Sequence, residues 1–241
     1  MKSKSPLLRL LYRLRDLRSR ELYRALREHC RGEVLDVGGW DFYVGAKEQG
    51  VTFLRWTTLE SDPQRLLETD DPRVRLSHGD GCAMTFAEAS FDSVLCVQVL
   101  EHVFDPIRMV AEIGRVLRPG GKAVLLIPCT STMHLAPHYH GNFSRYWIRE
   151  ALERAGLEIV ELRELGGVWS TFASRAFFFF LQAARYEGMS DPAIRRNALF
   201  WLLLPFQALF ALFLIPVALL FSLGDLHEEP NNHLVVARKR A

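Results

Sequence analysis

The alternation of apolar and polar positions along the chain predicts seven strands separated by helices or loops. Short apolar runs bounded by turn residues are typical of strands. The predicted strands are residues 33–37, 51–59, 74–78, 93–98, 122–128, 157–162 and 233–238. Helical spacing predicts helices over 105–117 and 145–155, the second with Ser144 as its N-cap. Because several strands are apolar throughout, we expect a parallel sheet covered on both faces.

Residues 6–30 show a different pattern, that of a basic amphipathic helix. Its apolar positions are Leu7, Leu10, Leu11, Leu14, Leu17, Leu22 and Leu26. Residues 1–33 carry ten basic and four acidic side chains, a local balance of +6, whereas the remainder of the chain carries −4. This asymmetry predicts that the N-terminal segment either meets an anionic surface or packs on the sheet.

A long apolar insertion separates the sixth predicted strand from the last. It contains the run of Phe177 to Leu181 and an uncharged stretch over 197–222 that Pro205 and Pro216 interrupt. The chain thus divides into an N-terminal helix (1–31), a main domain (32–169 plus 232–239) and a hydrophobic helical insertion (170–231).

Composition narrows the class of protein. A chain of 241 residues with 49% hydrophobic residues suits one α/β domain, and a net charge of +2 gives no reason to expect nucleic-acid binding. The four cysteines are scattered without a CxxC pair, and no signal peptide is recognisable, so we expect a reducing, cytoplasmic location.

Candidate chemistry lies after the predicted strands, because an open α/β sheet binds its ligands at the carboxyl ends of the strands. An acid about 24 residues after the first strand's acid suits two ribose hydroxyls, and an acid after the third strand suits an exocyclic amine. The candidates are Asp36, Gly38, Gly39 and Trp40 after the first strand, Glu60 after the second, Asp80, Gly81 and Cys82 after the third, and Gln98 and His102 after the fourth.

These motifs resemble those of class I S-adenosylmethionine-dependent methyltransferases, specifically the type-11 family. The resemblance rests on five segments in order, covering roughly residues 32–168 and the last strand. They are Asp36-Val37-Gly38-Gly39, Gly79-Asp80-Gly81-Cys82, Phe91-Asp92-Ser93-Val94, Leu100-Glu101-His102-Val103 and Leu117-Arg118-Pro119-Gly120-Gly121. A dinucleotide enzyme fits less well, because the GxGxxG fingerprint is absent.

The resemblance implies a Rossmann-like, mostly parallel seven-stranded sheet with its last strand antiparallel, and S-adenosylmethionine as cofactor. The ten candidates above would bind the cofactor. An oxygen acceptor would also need a base, and His138 and His140 are the predicted catalytic residues, with His134 and Tyr139 as predicted substrate contacts. No metal site is expected, because the spacing of His134, His138, His140 and Cys129 matches no standard zinc pattern.

One departure opens an alternative. Trp40 and Phe42 occupy positions where the family usually has glycines, and they could reshape the methionine end of the pocket. The alternative is therefore a catalytically degenerate domain that acts as a membrane-associated scaffold.

The insertion leaves and re-enters the fold at one edge of the sheet. A single transmembrane pass would therefore place the last strand on the opposite side of the membrane from the rest of the sheet. We expect a helical hairpin, broken near Pro205 or Pro216, that dips into one leaflet at the inner membrane face, with residues 1–31 and 170–223 as membrane contacts. A lipidic or lipid-linked acceptor follows from this position. The same apolar segments could instead pack together, cover the active site or form a homodimer interface.

Overall fold

The computed structural model of the chain describes residues 19–66 and 68–240. It contains one seven-stranded sheet with helices on both faces, which confirms the predicted fold class. The strands are β1 (Glu33–Val37), β2 (Arg55–Glu60), β3 (Val74–His78), β4 (Phe91–Val97), β5 (Leu117–Pro128), β6 (Leu157–Leu165) and β7 (Asn232–Lys239). The helices are α1 (Arg20–His29), α2 (Phe42–Glu48), α3 (Pro106–Val116), α4 (Arg145–Arg154), α5 (Val168–Ala183) and α6 (Ala198–Phe221).

The strand order is β3-β2-β1-β4-β5-β7-β6. Strands β1 to β5 pair in parallel, whereas β7 runs antiparallel between β5 and β6. The carboxyl ends of β1, β2, β3 and β4 therefore meet at one edge, on either side of the point where the chain crosses from β3 to β4. This crossover point is where α/β sheets place their ligands.

Each face of the sheet has its own apolar core. On one face, Met109 and Ile113 of α3 and Ile148 of α4 cover Leu35 and Leu125. On the other face, α1 and α2 lie against the sheet; their buried residues include Leu22, Leu26, Tyr43 and Ala46. The described part of the predicted N-terminal helix thus packs on the sheet, and the leucines at positions 7 to 17 lie outside the described residues.

Most predicted boundaries agree with the structure to within a few residues, and the capping residues explain several of them. Asp105 begins α3, since its Oδ1 accepts a hydrogen bond from the Arg108 N–H at 3.1 Å. Ser144 begins α4 as predicted, because its Oγ accepts from the Trp147 N–H at 3.3 Å. The short helix α2 is not foreseen, since its few apolar positions follow directly on the glycine turn.

The insertion forms two helices, α5 and α6, that pack antiparallel. Near the sheet the rings of Trp169 and Phe221 lie 4.9 Å apart, and near the turn those of Phe179 and Phe200 lie 6.1 Å apart. The expected break near Pro205 or Pro216 is wrong, because α6 runs unbroken through both prolines. A proline removes one backbone donor and bends a helix, but flanking side chains that pack on a partner helix can keep the helix continuous.

Among the described residues, one helical stretch, Ala198–Gly224, has the length and composition of a membrane span. Its mean hydropathy is 2.4, and only 11% of its most apolar window is buried. Helix α6 is therefore apolar and largely uncovered by the other described residues.

Candidate active site

A cavity of about 1190 Å³ opens at the carboxyl ends of β1 to β4. Nine predicted site residues line it: Gly38, Glu60, Asp80, Gly81, Cys82, Gln98, His102, His138 and His140. The structure thus brings together residues that are up to about 100 positions apart in the chain. Five further predicted residues, Asp36, Gly39, Trp40, His134 and Tyr139, are not part of the cavity lining.

Glu60 ends β2 with its carboxylate held in place at the cavity. Its Oε1 accepts hydrogen bonds from the backbone N–H groups of Ser61 at 3.0 Å and Asp62 at 3.4 Å. Its Oε2 is buried and has no hydrogen-bond partner. Because a buried carboxylate oxygen without a partner is costly, this atom suits a ligand that donates hydroxyl groups.

The turn after β3 presents Asp80, Gly81 and Cys82 to the same cavity. Asp80 Oδ1 accepts from the Cys82 N–H at 2.8 Å, which fixes the direction of the carboxylate. A Cβ at Gly81 would meet the side chain of Met109 at 2.4 Å, so only glycine fits without displacing the cavity wall. Burial, with Asp80 and Asp105 nearby, raises the pKa of the Cys82 thiol to about 11, so this group is a neutral thiol at pH 7.

The turn after β1 divides between cavity and interior. Gly38 has φ +71° and lines the cavity, and a Cβ there would meet the Val99 side chain at 2.8 Å. Asp36 is completely buried, and its carboxylate lies directly beneath Gly39. Burial raises the pKa of Asp36 to about 8. Asp36 and Gly39 therefore lie on the side of the turn that faces the protein interior and not the cavity.

Trp40 and Phe42 are not among the residues that line the cavity. Trp40 is 46% exposed, with the Arg65 guanidinium 5.9 Å from its ring centroid. Phe42 stacks on Tyr23 at 6.0 Å, on the face of the sheet that α1 covers. Trp40 borders the cavity through Arg65, which is part of the lining, whereas α2 turns Phe42 towards that core. The expectation that these side chains could reshape the pocket stays a prediction.

The histidines lie on the opposite wall. His102 Nδ1 is 2.6 Å from the His138 backbone oxygen, and the rings of His102 and His134 are in perpendicular contact at 4.8 Å. Burial lowers the pKa of His102, which favours its neutral form. Tyr139 lies behind this wall, with its hydroxyl 2.8 Å from Ser131 Oγ.

Several cavity residues have no signal in the sequence pattern. Arg65, Asp105 and Arg108 add two cations and an anion to the walls. Glu187 and Gly188 come from the turn between α5 and α6, and Gly188 O accepts a hydrogen bond from the Leu135 N–H. Only the folded hairpin brings these two residues to the site.

The fold and the position of the cavity define the class of protein. An S-adenosylmethionine-dependent methyltransferase of Mesorhizobium loti superposes with a TM-score of 0.55 at 16% identity, covering 92% of this chain and 97% of that one. A Burkholderia thailandensis 1,6-didemethyltoxoflavin N1-methyltransferase, solved with S-adenosylhomocysteine, gives 0.53 at 16% identity over 95% and 84%. The [4+2]-cyclase SpnF gives 0.58 at 17% identity over 100% and 85%. The fold is that of class I methyltransferases, and at these identities the similarity concerns the fold alone.

Sequence comparison finds partial matches to one family. Residues 51–125 match the family model described as a methyltransferase domain. A "probable S-adenosylmethionine-dependent methyltransferase" of Mycolicibacterium smegmatis is 31% identical over 147 residues, 57% of each chain. An uncharacterised methyltransferase of Mycobacterium sp. strain KMS is 36% identical over 111 residues, 44% of this chain and 43% of its own. The matched part of this chain is therefore similar to methyltransferase domains of the type-11 family, whose cofactor is S-adenosylmethionine.

The matches span about half the length of these relatives. The family-model match covers residues 51–125, which include Glu60, Asp80 and His102 but not Asp36 or Gly38. Over the matched stretch, the comparisons agree with the predicted family and with S-adenosylmethionine as the predicted cofactor.

Proposed function

We propose that this chain transfers a methyl group from S-adenosylmethionine to an oxygen atom of a lipidic or lipid-linked acceptor at the inner face of a membrane. When bound, the cofactor supplies a methyl group on a positively charged sulfur, which is already activated for transfer. The protein then has to bind and align the two reactants and exclude water.

The residues at the cavity fit this cofactor. The unpartnered Glu60 Oε2 is available to ribose hydroxyls, and Asp80 lies where it can accept from an adenine amine. Gly38 and Gly81 leave room for a ligand to approach the backbone. The alternative of a catalytically degenerate scaffold rested on Trp40 and Phe42, and neither of these side chains lines the cavity.

Two histidines are placed to take the proton of an acceptor hydroxyl. His138 and His140 both line the cavity, on the wall opposite Glu60. The His140 N–H donates to Glu101 O at 2.7 Å, and its ring contacts Phe104 at 5.6 Å. The imidazole ring of either residue is a candidate base for that proton.

The observation that carries the choice of acceptor is helix α6. It has no charged residue and is apolar on all sides, a pattern found in buried core helices and in membrane-embedded ones. Its side chains are not buried in the protein: Leu202, Phe206, Leu209 and Phe213 are 66–70% exposed. An exposed apolar surface of this kind supports contact with lipid.

The position of the hairpin links that contact to the cavity. The turn between α5 and α6 contributes Glu187 and Gly188 to the cavity wall. Arg185 and Arg195 in the same turn are exposed, where they can meet anionic headgroups. An acceptor held in the membrane would therefore be presented at the mouth of the site.

Cofactor binding is tested with Glu60→Gln, measured by calorimetry with S-adenosylhomocysteine. The amide keeps an oxygen for the Ser61 N–H but presents donors to the ribose, so we expect affinity to fall by about tenfold or more. Glu153→Gln, on the exposed side of α4, is the control and should bind like the unmodified chain. Equal affinity in the two variants would contradict the role of Glu60.

Membrane contact is tested by sedimentation with vesicles that contain anionic lipid. The double variant Phe206→Asp with Leu209→Asp should bind about tenfold more weakly or worse, because two large apolar side chains are lost from the interface. The control is Leu54→Asp with Val160→Asp, which changes exposed apolar residues elsewhere (74% and 50% exposed). A stable dimer in solution that does not bind vesicles would instead assign this surface to self-association.

The acceptor is sought by incubating the chain with labelled cofactor and membrane lipid extracts, followed by mass spectrometry. We expect label in a lipid-soluble product. Label confined to water-soluble acceptors would contradict the lipidic acceptor while leaving methyl transfer intact.

A further inference from the structure

Three potential metal ligands meet beside the cavity, and one of them, His102, lines it. One ligand atom each from Glu101, His102 and His134 lies within 4.8 Å of the other two. His102 Nε2 and Glu101 Oε1 are 4.0 Å apart. These separations are longer than hydrogen bonds, and they suit three ligands arranged around a shared ion.

Glu101 is the unusual member of this cluster. Its side chain is 0% exposed, and neither carboxylate oxygen has a hydrogen-bond partner. Buried carboxylates are found paired, hydrogen-bonded or bound to metal, since an uncompensated one is strongly unfavourable. The carboxylate faces the imidazole of His102, so a cation between them would satisfy it.

Each of the two histidines has one ring nitrogen held by a backbone carbonyl oxygen. His102 Nδ1 lies 2.6 Å from the His138 carbonyl oxygen, and His134 Nδ1 lies 2.8 Å from that of Thr132. Because a carbonyl oxygen only accepts, each Nδ1 carries the hydrogen and each Nε2 keeps its lone pair. A histidine that binds a metal through one ring nitrogen usually donates a hydrogen bond from the other ring nitrogen to such an oxygen.

We propose that Glu101, His102 and His134 bind one divalent transition-metal ion. Two imidazoles and one carboxylate favour Zn²⁺, Mn²⁺, Fe²⁺ or Co²⁺ over Mg²⁺ or Ca²⁺, and three protein ligands leave at least one coordination position open. His102 also lines the cavity, so an oxygen of the acceptor can occupy that position. This anchoring role rests on the proposed function, whereas metal binding itself does not.

The sequence spacing gave no reason to expect this site, because a helix, a strand and a loop separate the two histidines in the chain. A second cluster, Glu28, His29 and Glu161, passes the same distance criterion. It is less suitable, since Lys122 Nζ lies 3.0 Å from His29 Nδ1 and Glu161 is already paired with Arg24. That cluster supplies a matched control.

The test is a titration of the full-length, metal-free chain with Co²⁺ in the absence of cofactor, followed by visible absorption and by metal analysis. We expect one ion per chain and a ligand-field spectrum of nitrogen and oxygen ligands. Glu101→Gln and His134→Ala should each weaken Co²⁺ binding by more than about tenfold. His29→Ala should leave the affinity unchanged.

Absence of Co²⁺ binding at millimolar concentration would overturn the proposal, and so would unchanged affinity in Glu101→Gln and His134→Ala. Loss of binding in His29→Ala would move the site to the other cluster. If Glu101→Gln does not fold, His134→Ala decides the question, because His134 is only half-buried. Binding of S-adenosylhomocysteine, measured in parallel, separates failure of the metal site from failure of the proposed function.

Discussion

At the scale of single residues, the buried carboxyl of Asp36 links stability to pH. Burial raises its pKa to about 8 in the folded chain, against an ordinary value of about 3.9. Between these values the folded chain holds a proton that the unfolded chain has lost. The free energy of unfolding should therefore fall as pH rises from about 4 to about 8, by at most about 1.4 kcal/mol per pH unit.

Asp36→Asn cannot ionise and keeps the shape of the side chain, so it should remove most of this fall. The measurement is urea unfolding of the cofactor-free chain between about pH 5 and about pH 8. Asp191→Asn, in the hairpin turn, should keep the pH dependence of the unmodified chain. An identical slope in Asp36→Asn would show that other groups are responsible.

Gly38 allows a second prediction at this scale. Gly38→Ala adds the cost of a positive φ and drives a Cβ into Val99 at 2.8 Å, at the cavity wall. Gly120→Ala adds a similar backbone cost at φ +78°, with no atom within 4 Å. Both should lower stability by about 1–2 kcal/mol, but only Gly38→Ala should also weaken S-adenosylhomocysteine binding. The affinity of both variants for S-adenosylhomocysteine is measured by calorimetry. Equal affinities would contradict the prediction that the Gly38 turn borders the cofactor.

At the scale of elements, Asp225 joins the two ends of the hairpin. Its Oδ1 accepts from the Trp169 N–H at 2.8 Å and its Oδ2 from the Ser170 N–H at 3.0 Å, so it caps α5 from the far end of α6. Asp225→Ala should cost about 1–2 kcal/mol and increase hydrogen exchange in the first turn of α5. Asp191→Ala, which loses only a contact within the hairpin turn, is the control. Unchanged exchange at Trp169 and Ser170 would contradict the capping role.

Some strands and helices can be predicted from the local sequence, and others cannot. Strand β1 and strand β3 follow from their apolar runs and turn residues, since both signals are local. The proposed break in α6 is wrong because it weighs Pro205 and Pro216 alone, whereas the structure shows one continuous helix that packs along α5. The turn of the hairpin lies before both prolines, between Ala183 and Ala198.

At the scale of the whole molecule, the sheet and the hairpin should be separable. The Val168 N–H donates to Leu226 O at 3.0 Å, so a short Gly-Ser linker can replace residues 170–223. This variant should unfold cooperatively and bind S-adenosylhomocysteine within a few-fold of the unmodified chain, but it should lose most vesicle binding. A reversed result, with cofactor binding lost and vesicle binding kept, would contradict the division of the chain into these parts.

The alternation of strands and helices could be predicted from the amino-acid pattern alone. The same is true of the positions of Glu60 and Asp80 at the carboxyl edge of the sheet. Parallel strands align their carboxyl ends, so knowing where each strand stops is enough to group the residues that follow. Three placements are seen only in the folded chain. Asp36 lies on the interior side of its turn, Phe42 faces α1, and Glu187 is part of the cavity wall. The tertiary structure also brought His134 to Glu101 and His102. These placements depend on packing between segments far apart in the chain, which no local pattern of apolar and polar residues encodes.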